Sequence, residues 1–291
     1  MSQVSQLGYL VLGVRDVEAW TAFATDVLGL QARHASESGE TLLRLDELDY
    51  RIAVREDPAD DVLAMGLQLQ GEPALAAMAD KLAAAGVEFS WGTDEEKAQR
   101  KVRGLIKVKD PNDVTLHLFY GLYCDYRDAF RSPRDISGFV TGNLGLGHVV
   151  IFSKDVEASV RFYQSLLSFR VSDWIDDSTL KAAFMRCNSR HHSVAVFQID
   201  HRRKLQHFML ELQSLDDVGK TYDLVKERDT PLMLSMGRHN VDRMVSFYVN
   251  SPAGIAVEYG WGGLHVDEAT WQVKLQPSPS IWEHKLLAAG L

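Results

Sequence analysis

The stretch Leu146-Gly147-His148-Val149-Val150, followed after Ile151-Phe152-Ser153 by Lys154-Asp155-Val156-Glu157-Ala158, has an earlier counterpart in Leu7-Gly8-Tyr9-Leu10-Val11 and Arg15-Asp16-Val17-Glu18-Ala19. Both pieces keep the same offset of 139 residues, 146 against 7 and 155 against 16. Each copy reads as an apolar strand, an aspartate placed to cap a helix, and a helix with apolar residues at helical spacing. Those residues are Val17, Trp20, Ala24, Val27 and Leu28 in one copy, and Val156, Val160, Tyr163 and Leu167 in the other. A match of this kind at one fixed period is the mark of a duplicated domain.

Working outward, each half holds a second strand-to-helix start. Met65 to Leu69 precedes Pro73-Ala74-Leu75 and a helix that Gly86 can close, and Leu205 to Leu212 precedes Asp216-Asp217-Val218. Four units thus begin near residues 7, 65, 146 and 207. Strand-like segments follow the helices at Thr41 to Leu45, Arg51 to Val54, Leu105 to Val108, Val114 to Phe119, Ala182 to Met185 and Ser193 to Ile199. The recurring unit is one strand, one helix and about three further strands, and the fold expected is α+β, with two domains of two βαβββ modules each. A charged, turn-rich segment from Asp125 to Ser137 is the expected linker, which divides the chain into 1–135 and 136–291.

Composition excludes several functions. With 46% hydrophobic and 24% charged residues in 291, the chain has the make-up of a globular protein long enough for two cores. A net charge of -9 without any Lys/Arg run argues against nucleic acid or an anionic membrane as partner, leaving a small molecule. Two cysteines, Cys124 and Cys187, make neither a disulfide framework nor a metal spacing. No leader pattern opens the chain and no apolar run approaches ~18 residues. A cytoplasmic protein is expected.

Of ten histidines only His34 and His117 precede residue 136. One copy of the duplication is therefore expected to keep a site, and the other to serve as support. His148 lies in the first strand of the third unit, where the repeat has Tyr9. His207 lies in the first strand of the fourth unit and pairs with Ala64. Glu258 follows Ile255-Ala256-Val257 in the last strand, after a Ser251-Pro252-Ala253-Gly254 turn, and pairs with His117. Taken alone, such a Glu is met by a salt bridge or by facing outward, and such a His by core hydrogen bonds. Three polar residues in repeat-related apolar strands point instead to convergence on one interior. Two imidazoles and one carboxylate there form a facial triad that leaves one side of a divalent metal open, usually iron(II).

On these residues, together with His191-His192-Ser193, Leu205 to Leu210 and Gly237 to Gly260, the sequence resembles the type I extradiol catechol dioxygenases of the vicinal oxygen chelate (glyoxalase-like) superfamily. Within them it is most like the 2,3-dihydroxybiphenyl 1,2-dioxygenase group. The resemblance covers nearly the whole chain. It implies His148, His207 and Glu258 as ligands of Fe(II), with Mn(II) as the alternative. It also implies His192 as the acid-base residue, His239 and Tyr248 as contacts to the catechol hydroxyls, and Asp242 as a carboxylate behind them. Val241 stands where the family usually has Asn.

The reaction implied is insertion of O2 into a catechol next to its two hydroxyls. The substrate implied is a biphenyl-type or bicyclic catechol, with 2,2',3-trihydroxybiphenyl, 1,2-dihydroxynaphthalene and monocyclic catechols as alternatives. Phe184, Met185, Phe197, Phe208, Met209 and Trp261 are candidates for a pocket around a second ring. His191 is expected to point away from His192 along an alternating strand and to be structural. A homo-oligomer, an octamer by family likeness, is expected. Competing readings are a glyoxalase-type metal isomerase with a fourth protein ligand, and a metal-free module that binds an aromatic compound.

Overall fold

Asp16 and Asp155 do cap their helices: each carboxylate accepts from the backbone N–H three residues on, of Ala19 and Ala158. The computed structural model describes residues 3–35 and 38–287. The first half contains β1 (Val4–Val14), α1 (Val17–Asp26), β2 (Gln31–Ala35), β3 (Glu40–Arg44), β4 (Ile52–Glu56), β5 (Asp61–Leu69), α2 (Glu72–Ala84), β6 (Phe89–Trp91), α3 (Asp94–Gln99), β7 (Gly104–Lys109) and β8 (Thr115–Tyr120). After a connecting segment come β9 (His148–Ser153), α4 (Val156–Ser165), β10 (Arg170–Asp176), β11 (Lys181–Arg186) and β12 (Val194–Gln198). The last unit holds β13 (Leu205–Leu212), α5 (Leu215–Glu227), β14 (Leu232–His239), β15 (Val245–Asn250) and β16 (Ala256–Trp261), followed by β17 (Lys274–Gln276) and β18 (Ser280–Glu283).

Strand order is β2-β3-β4-β1-β5-β8-β7-β6 in the first sheet and β17-β10-β11-β12-β9-β13-β16-β15-β14-β18 in the second. In every unit the first strand runs parallel to the last: β1 with β4, β5 with β8, β9 with β12, β13 with β16. The two units of a sheet then join through their first strands, antiparallel, as β1 with β5 and β9 with β13. This is the expected pair of βαβββ modules per sheet. The unexpected pieces are α3 and the strands β17 and β18, which cover the edges of β10 and β14.

Alternation along the central strands sorts the two faces. Val149 and Ile151 of β9 join the helices in one large apolar core, while Val150 lies in a separate cluster with Phe184, Ala195 and Val241 on the other face. The large core runs through both halves, where the Trp20 ring of α1 stacks on Phe208 of β13 with centroids 6.4 Å apart. No helix of the described residues is long and apolar enough to cross a membrane.

In the first sheet, the repeat positions of the expected ligands come together with only one imidazole among them, and no carboxylate. Tyr9 Oη and His117 Nδ1 are 3.0 Å apart, beside Ala64 and a buried Glu40–Arg100 ion pair. Burial, then the charges of Arg100 and Lys107, push the His117 imidazole down to about 3. His117 is thus neutral where the unfolded chain takes up a proton. Its contribution to stability is complete above about pH 6.5, the ordinary value, and is lost as pH falls towards 3. In His117→Gln the loss of unfolding free energy between about pH 7 and pH 5 is expected to be about 2 kcal/mol smaller than in the parent protein. Urea titrations at the two pH values measure this, and equal losses would refute it.

Candidate active site

The second sheet brings the three expected ligands to one point because β13 sits between β9 and β16. Met209 is level with His148 on one side and with Glu258 on the other. His207, two residues before Met209, then reaches the same face. His148 Nε2 lies 2.9 Å from Glu258 Oε2, His207 Nε2 lies 3.4 Å from that oxygen, and the two nitrogens are 3.2 Å apart. All three side chains are buried.

Two bare imidazole nitrogens and a carboxylate oxygen at such separations repel unless a cation or protons lie between them. Donors about 2.1 Å from a shared divalent ion, and adjacent around it, stand about 3 to 3.4 Å apart, so the triangle fits one ion. His207 Nδ1 is held by Gln206 Oε1, an acceptor, which fixes its proton there and leaves Nε2 bare. His148 Nδ1 is buried without a partner. A second cluster, His148, His192 and Asp242, shares one histidine with the first. Among the described residues no fourth donor joins the His148–His207–Glu258 triangle.

The other oxygen of Glu258 is occupied differently. Ser246 Oγ donates to Oε1 at 2.6 Å, and His239 Nε2 is 3.2 Å away. His239 Nδ1 donates to the Pro279 carbonyl at 3.1 Å, and its Nε2 is 2.7 Å from Tyr248 Oη. Tyr248 is directly across the ladder from Glu258. Burial alone would lower the His239 value, but the Glu258 charge and contact carry it up to about 9. Burial and then the charges of Glu258 and Asp242 push the Tyr248 phenol well above its ordinary value. Burial likewise opposes ionisation of Glu258, yet His239, His148 and His207 hold it well below the usual carboxylate range. His192 lies with its ring 3.9 Å, centroid to centroid, from that of His148, and burial drives its imidazole well below the ordinary value.

These groups line a cavity of about 30 Å³ together with Val150, Phe184, Phe197, Val241, Asp242 and Pro279. Phe184 and Phe197 are therefore at the cavity as expected. Phe208 is not: the neighbour of an inward His207 must point to the opposite face, and it packs on Trp20. Met209 shares the face of His207 but does not line the cavity, Met185 lies in the large core, and Trp261 is partly exposed. His191 also departs from expectation. The alternation argument fails because His191 and His192 precede β12 in a loop, where their Nδ1 atoms are 3.2 Å apart. Sequence reasoning missed Ser246, Gln206, Pro279 and His284, whose ring lies 4.1 Å from that of His239. For Ser246 a signal existed, since it is two residues from Tyr248 on the same strand face.

Two family models match the chain: the glyoxalase/bleomycin resistance protein/dioxygenase superfamily over residues 145–259, and dihydroxybiphenyl dioxygenase BphC D1 over residues 7–56. The chain is 40% identical over 287 residues to a biphenyl-2,3-diol 1,2-dioxygenase of Paraburkholderia xenovorans (strain LB400), covering 97% of this chain and 95% of the relative. It is 39% identical to a 3-methylcatechol 2,3-dioxygenase of Pseudomonas putida, with 98% and 99% covered. Among solved structures, that of BphC, a halotolerant catechol dioxygenase, matches with a TM-score of 0.93 at 36% identity, covering 99% of this chain and 96% of that one.

Because Ser246 is what turns Glu258 Oε2 towards the histidines, Ser246→Ala is expected to weaken metal binding about 10- to 100-fold. Anaerobic titration against a competing chelator reads this, and an unchanged affinity would count Ser246 out.

Proposed function

The chain belongs to the extradiol ring-cleaving dioxygenases of the vicinal oxygen chelate superfamily, and we propose that it opens a biphenyl-type or bicyclic catechol beside its two hydroxyls. What carries this reading is the three-donor triangle with one side free, facing a cavity walled by Phe184, Phe197 and Val241. His148, His207 and Glu258 would hold Fe(II), with Mn(II) the alternative. Bound there, the ion would supply Lewis acidity towards a catechol and a route for electrons from it to O2.

The remaining work falls to side chains. Tyr248 and His239 meet a catechol oxygen with an O–H and an N–H, which favours the anion over the neutral hydroxyl. His192, its ring against that of His148 and kept neutral by burial, takes and returns the proton. Asp242 stands behind it, 3.8 Å from its Nδ1. The wall is apolar and excludes water from the reacting ring. Residues 1–135 form a supporting domain without a metal, and residues 136–291 the catalytic one. We place the protein in the cytoplasm as a homo-oligomer, an octamer by family likeness.

A second reading concerns size. The cavity of about 30 Å³ is the size of a single water, so a catechol of one ring or two enters only as Phe184, Phe197 or Pro279 swings aside. The similarity to a 3-methylcatechol 2,3-dioxygenase supports a smaller 3-substituted catechol as the second reading. Ranking catechol, 3-methylcatechol, 2,3-dihydroxybiphenyl, 2,2',3-trihydroxybiphenyl and 1,2-dihydroxynaphthalene by kcat/KM separates the two. A first place for 3-methylcatechol would remove the biaryl assignment.

Reaction class is tested by adding Fe(II) anaerobically, then 3-phenylcatechol and air. Oxygen uptake with a yellow product is expected, and binding without uptake would refute ring cleavage. His192→Gln is expected to lower kcat about 100-fold or more with iron content unchanged. A normal rate would remove His192 from the proton transfer.

A further inference from the structure

Behind His192 lies a buried pair that the chemistry above does not use. Asp173, in β10, has no exposed surface, and His191 has almost none. Asp173 Oδ1 accepts from Lys274 N–H at 2.9 Å, and Oδ2 from the Gln276 side-chain amide at 2.7 Å, so the edge strand β17 holds both oxygens. His191 Nε2 is 3.3 Å from the same Oδ2. The backbone of His191 is pinned as well. Its N–H donates to Leu264 O at 3.1 Å and its carbonyl accepts from Ser172 Oγ. The Trp271 ring stands edge-on to the imidazole, centroids 5.4 Å apart.

A carboxylate oxygen can only accept, so Nε2 of His191 carries a proton, and with that single proton on the ring its Nδ1 is bare. The opposite tautomer would aim a lone pair at a buried anion. The bare Nδ1 lies 3.2 Å from His192 Nδ1, which must then carry its own proton and donate it. His192 Nε2 is left as a lone pair, and it makes no hydrogen bond to the described residues on the cavity it lines.

We propose that Asp173 and His191 are positioning residues that lock His192 in the tautomer with a bare Nε2, so that it meets the substrate as a proton acceptor. The order of atoms is Asp173 carboxylate, H–Nε2 and Nδ1 of His191, then H–Nδ1 and Nε2 of His192. When Nε2 takes a proton from a catechol hydroxyl, His192 becomes a cation. Its Nδ1–H stays bonded to His191 with Asp242 Oδ2 3.8 Å away, and returning the proton restores the starting state. This rests on the acid-base role given to His192.

Asp173→Asn turns the chain around. The amide offers an N–H to His191 Nε2, His191 then carries its proton on Nδ1, and His192 is left with its proton on Nε2. In iron(II)-loaded enzyme acting on 3-phenylcatechol, kcat is expected to fall about 10- to 100-fold, with KM and iron content within about twofold. His191→Phe should lose as much. His191→Gln keeps a donor towards Asp173 and an acceptor towards His192, and should recover most of the rate.

In zinc-loaded protein carrying 15N-histidine, NMR should find His192 protonated on Nδ1 in the parent and on Nε2 in Asp173→Asn. An unchanged tautomer, or equal losses in His191→Phe and His191→Gln, overturns the proposal. The latter comparison serves even where Asp173→Asn does not fold. Loss in His192→Gln with normal rates in Asp173→Asn and His191→Phe defeats the positioning role alone, and a normal rate in His192→Gln defeats the acid-base reading beneath it.

Discussion

Three donor atoms held within 3.4 Å of one another, away from water, are the contact on which the second half depends. Left alone they repel, and only strands packed on both faces can impose the arrangement. β13 does this because it is antiparallel to β9 and parallel to β16, which sets His148 and Glu258 at the same height on either side of it. A slip of one residue in β13 would turn His207 to the helical side and Phe208 into the cavity. The stacking of Phe208 on Trp20 opposes that slip, so a helix of the first half helps to fix the metal geometry of the second.

The first half shows the same framework with a different set of side chains at the three positions. Tyr9, Ala64 and His117 occupy the corresponding places, and a Tyr–His hydrogen bond satisfies the two polar groups without an ion. Sheet order and pairing directions are retained within the unit pairs, while β1 and β5 carry register irregularities. Three changed side chains are enough to abolish a metal triangle, whereas the shared core of the two halves depends on dozens of apolar contacts. The packing is thus common to both halves, while the donor set is not.

Much of this was legible in the sequence. The offset between Leu7 and Leu146, the capping aspartates and the Ser251–Gly254 turn led to the four units and to the strands that bear His148, His207 and Glu258. Segments were missed where their polarity hid them: β2 reads Gln-Ala-Arg-His-Ala, and β10 buries Ser172 and Asp173 within an otherwise ordinary strand. The strands β17 and β18 are three and four residues long, with mostly exposed side chains, so they carry no burial pattern to detect. Phe208 was misplaced by neglecting period-two alternation, a rule that the inward His207 already implied. His191 was misplaced by the reverse error, applying alternation to residues that lie in a loop.

What those tail segments contribute is orientation, a property that spacing along a chain cannot express. Pro279, just before β18, accepts from His239 Nδ1 and from Asn240 N–H, which decides where the His239 proton sits. His284, just after β18, stacks on that ring and bonds back to Ser246 and Ser280. Ser246 and His239 in turn share Glu258 Oε1, so the His239–Tyr248 pair and the His148–His207 pair meet on one carboxylate. A change in charge at Oε2 is therefore felt at once by His239 and Tyr248. Glu258 thus ties the two imidazoles at Oε2 to the His239–Tyr248 hydrogen bond at Oε1 through a single side chain.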